Sequence, residues 1–193
     1  MENAAGLERF HPLMLYSILG AVRRFEHDFY LHLCRAYHLD AERILGLFTE
    51  IEHIGPGQLG SILAELREHN SYHDIVYLAG RNTLSSWCDM QGVKLGRAQG
   101  GASRFNTLTK QLLTPFLGIA VFSTMVRGEM HFIEVSDSIF ARGVEHLHPV
   151  CGFYAGFLSE IASGCIAGST AVNESSCKAA DQDVQSCLFQ VPL

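Results

Sequence analysis

Apolar residues recur near the start of the chain as Leu13, Leu15, Ile18, Val22, Phe25, Phe29, Leu33 and Tyr37, at steps of two to four that trace one face of a helix. Pro12 suits a first helical turn, where a missing N–H has no partner to lose. The pattern predicts one long helix over residues 12–39. A second helix is predicted over 41–52, with Asp40 as its N-cap and Gly55-Pro56-Gly57 as its stop. Leu59, Ile62, Leu63 and Leu66 predict a third that ends near Asn70, and Val76, Leu78, Leu84 and Trp87 mark a fourth over 74–90. After a glycine-rich link over 92–101, Phe105, Leu108 and Leu112 restore helical spacing until Pro115 stops it.

The period then changes. Residues 118–126 are rich in β-branched and aromatic side chains, Arg127-Gly128-Glu129 reads as a tight turn, and residues 130–135 complete a β-hairpin. Phe153, Tyr154, Phe157, Leu158 and Ile161 predict one more amphipathic helix that starts at Cys151, followed by two short strand-like segments at 169–173 and 187–191. Helices and strands in separate runs predict an α+β fold, with a helical N-terminal half packed on a four-stranded antiparallel sheet.

Composition narrows the function. At 193 residues, 48% hydrophobic and 18% charged, the chain suits a single domain over 1–193 with a sizeable core. It has neither a charged-then-apolar leader nor an apolar run of about 18 residues, so a membrane span is not expected and a cytoplasmic location is. A net charge of −6 argues against a nucleic-acid surface. In a reducing compartment the six cysteines read as thiols or metal ligands. The glycine-rich link lacks the Gly-Lys-Ser/Thr ending of a phosphate cradle and reads as a connector. No nucleophile–base set and no dinucleotide fingerprint stands out, so the residues point to binding more clearly than to catalysis.

The densest chemistry lies near the C-terminus: Cys151, then Glu174-x-x-Cys177, then Cys187-x-Phe189. Cys151 opens the last helix, where amide N–H groups and the positive end of the dipole favour a thiolate. Glu174 and Cys177 fall just past one strand-like segment and Cys187 begins the other, so two strand ends and a helix start can converge. Three sulfurs and a carboxylate make a closed tetrahedral set that suits zinc in a structural role. Three small buried core cysteines is the other reading, and for Cys34, Cys88 and Cys165 apolar surroundings without a nearby base favour inert packing. His131 alternates in phase with Ile133 and Val135 and is either a pocket residue or a hydrogen-bonded core residue. His146-x-His148 supplies either extra metal ligands or a solvated loop, and His27, His32 and His38 read as solvated.

The Val-Cys, glycine-bearing helix, Glu-x-x-Cys and Cys-x-Phe order resembles the 4-vinyl reductase domain family, although the link between Cys177 and Cys187 is longer here. This family includes a protein of bacteriochlorophyll synthesis and the sensor domain of aromatic-responsive transcription activators. The resemblance implies a fold shared with haem-dependent nitric-oxide sensors and TRAPP subunits, often with an internal apolar cavity. It implies a zinc site at Cys151, Glu174, Cys177 and Cys187, and a ligand pocket at His131, Ile133, Ala155, Val172 and Leu113. Phenol-responsive relatives hold the hydroxyl with a tryptophan and a histidine at places occupied here by Ile133 and Leu113, so a more apolar ligand is implied. The expected function is a zinc-containing sensor or carrier domain for an apolar, aromatic or tetrapyrrole-like molecule. Alternatives are an accessory protein of vinyl-tetrapyrrole reduction and a dimeric scaffold of TRAPP type. A homodimer through residues 12–39 is expected from the excess of large rings there, Tyr16, Phe25, Phe29, Tyr30 and Tyr37.

Overall fold

The first helix, α1 (Pro12–Phe25), starts where His11 Nδ1 accepts the Leu13 N–H at 3.2 Å, with Pro12 in its first turn. In the computed structural model, which describes residues 11–40, 56–95, 101–116, 121–166, 171–181 and 183–192, the long predicted helix is two. Glu26 leaves helical geometry at φ −143° and ψ 79°, and α2 (His27–Ala36) starts beyond it. An unbroken apolar face does not reveal such a break, because both helices bury the same stripe. Ser71 donates to the Glu26 carboxylate at 3.3 Å and so ties the break to the start of a later helix.

The helices α3 (Pro56–Arg67), α4 (Tyr72–Gln91) and α5 (Gly101–Leu113) follow, each within a few residues of its predicted bounds. Gly92 ends α4 in the left-handed conformation, φ 64°, accepting no Cβ penalty at a position that closes the last turn. The predicted second helix over 41–52, most of the glycine-rich link and the ends of two predicted strands lie outside the described residues.

Strands β1 (Val121–Arg127) and β2 (Met130–Ser136) form the expected hairpin around a left-handed Gly128, φ 59°. Helix α6 (Gly152–Cys165) comes next, then β3 (Asn173–Ser176) and β4 (Ser186–Pro192). The four strands make one antiparallel sheet, as predicted, and the structure sets their order as β1-β2-β4-β3. Period-two burial gives the sheet an inner face of His131, Ile133 and Val135 from β2 and Cys187, Phe189 and Val191 from β4.

Helix α6 buries Phe153, Tyr154, Ala155, Phe157, Leu158, Ile161 and Ala162, around its whole circumference, because it is sandwiched between α4 and the sheet. Its glycines set how close it comes. A Cβ on Gly156 would lie 2.0 Å from the Tyr77 carbonyl oxygen, and one on Gly80 of α4 would lie 2.0 Å from the Phe153 carbonyl oxygen. The two backbones therefore touch through reciprocal glycines, and Cys151, the residue capping α6, is held against the start of α4. Tyr72 fixes the same corner by donating to the Val150 carbonyl at 2.6 Å.

Of the rings that suggested an interface, Tyr30 is buried and Tyr16, Phe29 and Tyr37 pack partly on the core, whereas Phe25 is 43% exposed.

Candidate metal centre

Three elements bring the predicted ligands together. Cys151 caps α6, Cys187 is the second residue of β4, and Cys177 immediately follows β3. Glu174 lies within β3, opposite Phe189, rather than past a strand over 169–173; the strand begins at Asn173, and the bulge between Glu174 and Ser176 turns the chain so that Cys177 also reaches the inner face. Antiparallel pairing of β3 with β4 then places Glu174, Cys177 and Cys187 under the start of α6.

The ligand atoms of Cys151, Glu174, Cys177 and Cys187 lie within 4.8 Å of one another. Cys151 Sγ and Cys187 Sγ are 3.2 Å apart, and Cys187 Sγ and Cys177 Sγ are 3.6 Å apart. Tetrahedral coordination with metal–sulfur bonds of about 2.3 Å requires about 3.8 Å between sulfurs, so a small inward-to-outward adjustment accommodates an ion. Polar groups surround the set: the Val150 N–H donates to Cys177 Sγ at 3.4 Å, the Cys151 N–H to Glu174 Oε2 at 3.0 Å, and Ser138 Oγ meets Cys151 Sγ at 3.2 Å. Glu174 Oε1 is buried with no hydrogen-bond partner among the described residues, an orphaned carboxylate oxygen beside three thiols. The donor set fits zinc.

Charge makes the same point. Burial raises the Cys151 thiol well above its ordinary value, and burial, with Cys177 beside it, pushes the Glu174 carboxyl up to about 9. Cys177 is the thiolate: hydrogen bonds from Cys151 and Cys187 hold it far below the thiol range despite burial. At Cys187 the contact with Cys151 pulls the thiol down, but donation to Cys177 and burial outweigh it and keep Cys187 protonated. The helix start was expected to favour a thiolate at Cys151; hydrogen bonding within the cluster favours Cys177 instead. Without a cation the cluster carries one negative charge, and a dication would expel protons from the other three groups.

Of the expected pocket residues, His131 and Ile133 lie on the inner face of β2, Leu113 ends α5, Ala155 is on α6, and Val172 precedes β3, its N–H donating to Ser159 Oγ at 3.2 Å. All five are buried in the core, and three surface clefts among the described residues are lined by others. His131 is 1% exposed, and neither ring nitrogen meets a hydrogen-bonding partner among the described residues. Its edge meets the Phe105 ring at 5.1 Å, and burial lowers its pKa, so it is neutral. Cys34, Cys88 and Cys165 are buried thiols raised by desolvation, as expected of packing residues. In the His-x-His loop, His146 Nδ1 accepts the His148 N–H at 3.2 Å, and neither histidine joins the four ligands.

Two groups near the site were missed from sequence. His73 and Asp74, in the first turn of α4, share a cleft with Tyr77, His148, Pro149, Gly152 and Glu174. Their long separation from residue 148 in the chain leaves no local signal. No described helix is long and apolar enough to cross a membrane.

No protein-family model and no curated protein matches the sequence. Among solved structures, the chain is similar to an H-NOX protein from S. oneidensis in the Fe(II)NO ligation state, with TM-score 0.61 and 11% identity over 95% of this chain and 99% of that one. It is also similar to the phenol-responsive sensory domain of the transcription activator PoxR with phenol, at TM-score 0.48 and 16% identity over 72% and 75% of the two chains. A vinyl-4-reductase family protein from Methanocaldococcus jannaschii gives TM-score 0.37 and 16% identity over 98% of each chain. The fold rests on the H-NOX likeness. The family that the cysteine motif resembles is represented among these structures by the other two.

Proposed function

We propose that this chain is a metal-containing small-molecule-binding domain, a sensor or carrier, in which zinc held by Cys151, Glu174, Cys177 and Cys187 ties β3 and β4 to the start of α6. Zinc would supply a structural crosslink there, since four protein ligands leave no open position. The observation that carries the binding reading is His131. A neutral imidazole buried in the core with both nitrogens unsatisfied among the described residues costs stability, and a ligand that offers one of them a hydrogen bond recovers part of that cost. The neighbouring Ile133, with Leu113, Ala155 and Val172, makes the rest of the ligand apolar. An aromatic or tetrapyrrole-like molecule with a single polar group suits this lining, and phenol-responsive sensing by one of the similar structures is in keeping with it.

Six unpaired cysteines suit a reducing, cytoplasmic setting, and a homodimer through α1 and α2, with Phe25 at its centre, completes the proposal. The test is a thermal-shift screen of apolar aromatics, each bearing one hydrogen-bonding group, on the zinc-loaded protein. Binders should raise the melting temperature, and His131→Phe should weaken them by about 5- to 100-fold, the equivalent of one lost buried hydrogen bond. Equal affinity in wild type and His131→Phe would refute the assignment.

A further inference from the structure

Among the described residues two openings reach the cysteine–glutamate cluster, and they differ in size and in the metal-binding side chains that they present. A crevice of about 50 Å³ touches Cys187 and is walled by Arg142, Lys178 and Asp137, with Arg142 Nε donating to the Asp137 carboxylate at 3.0 Å. On the other side, a cleft of about 520 Å³ is lined by His73, Asp74, Tyr77, His148, Pro149, Gly152 and Glu174. Glu174 alone of the four ligands lines this cleft among the described residues, whereas Cys151, Cys177 and Cys187 are each 1% exposed or less. The side chains of His73, Asp74 and His148 are exposed at its rim. At the first opening the one lining carboxylate that a dication would seek, Asp137, is already paired with Arg142 at 3.0 Å. At the second a dication meets two imidazoles and a carboxylate, ordinary ligands for zinc, and then the orphaned Glu174 Oε1.

We infer that the His73–Asp74–His148 cleft is the loading and release route of the metal site, in which the two imidazoles and Asp74 receive a divalent cation and pass it to Glu174. The inference rests on the zinc reading above and adds a specific route to it. Among the described residues the ligand atoms of His73, Asp74 and His148 do not converge on one point, which suits transient rather than resident ligands. Glu174 is the natural first resident ligand because it lines the cleft, and its Oε1 has no hydrogen-bond partner among the described residues while Oε2 keeps the Cys151 N–H at 3.0 Å. The three buried sulfurs then close around the ion. Since capture and release share one barrier, rim residues that speed loading speed release by the same factor and leave the final affinity unchanged.

The experiment follows zinc release from the purified, zinc-loaded protein to a chromogenic chelator in excess. His73→Gln/His148→Gln should release zinc about ten-fold more slowly than wild type, the loss of about 1.4 kcal/mol of contact with the ion in transit. Its zinc content per chain and melting temperature should match wild type. Lys178→Ala, on the other opening, should leave the release rate unchanged. An unaltered rate in the double variant, or slowing in Lys178→Ala as large as in the double variant, would overturn the route while leaving the zinc reading intact. Loss of zinc from the double variant would also overturn it, since the histidines would then be resident ligands. Wild-type protein purified without zinc would overturn the zinc reading and the route together.

Discussion

Placing one methyl group on Gly80 tests how the metal centre is positioned. An added Cβ would lie 2.0 Å from the Phe153 carbonyl oxygen, 2.8 Å from the Phe157 nitrogen and 2.9 Å from the Phe153 carbonyl carbon, all backbone atoms of α6. Ordinary contact begins at 3.4 Å, so the helices must separate by 3.4 − 2.0 = 1.4 Å along that line. No flexible side chain can yield instead. Overpacking of this kind costs about 3 kcal/mol, at the upper end of the usual range, and the gain in helix propensity from glycine to alanine offsets about 1 kcal/mol. The net loss of about 2 kcal/mol lowers the melting temperature of a chain this size by roughly 4–8 °C. Gly20 in α1 supplies the opposite case: nothing lies within 4 Å of its virtual Cβ, so Gly20→Ala keeps the propensity gain of about 1 kcal/mol and raises the melting temperature by roughly 2–4 °C. Differential scanning fluorimetry of the two variants beside wild type reads both signs. Because α6 carries Cys151 at its cap, Gly80→Ala should also lower zinc content per chain. Equal stability of Gly80→Ala and wild type, or a shift of both variants in one direction, would refute the claim that backbone contact between α4 and α6 sets this corner.

Elemental analysis of protein prepared without chelator should find one zinc per chain, and Cys177→Ser should lose it and melt well below wild type, because metal affinity at such a site is folding free energy. Calorimetric titration of metal-free protein at neutral pH in buffers of different ionisation enthalpy should show about three protons released per zinc, from Cys151, Cys187 and Glu174; a value near zero would mean that the cluster is already ionised. His11, His73 and His131 each titrate below the ordinary 6.5, chiefly through burial, so the unfolded chain binds protons before the folded one does. Their contribution to stability is therefore complete above about pH 6.5 and lost as pH falls below it toward the folded values, and His131→Phe should flatten the fall of melting temperature with acidification. Light scattering at micromolar concentration should give twice 21.3 kDa, and Phe25→Glu should reduce it to one chain; a wild-type mass of one chain would refute the dimer.

Periodicity alone determined much of this protein. The helical first half, the β1–β2 hairpin and the α+β class follow from the 3.6- and 2-residue patterns, because each element buries one face and its apolar residues repeat at the period of that face. The spacing of Cys151, Glu174, Cys177 and Cys187 picked out four residues whose ligand atoms the fold brings within 4.8 Å of one another, since side chains with affinity for metal are rare enough that their grouping stands out from the background. Tertiary structure decided the rest. The break at Glu26 is invisible in a stripe that both helices share, and β3 is too short for alternation to fix its start at Asn173. Which thiol ionises depends on who donates to whom inside the cluster, so Cys177 prevails over the helix-capping Cys151. The reciprocal contacts of Gly80 and Gly156, and the meeting of His73 with His148 above Glu174, join segments far apart in the chain. Such contacts exist only once α6 has packed on α4, because nothing in the local sequence of either helix encodes the distance between them.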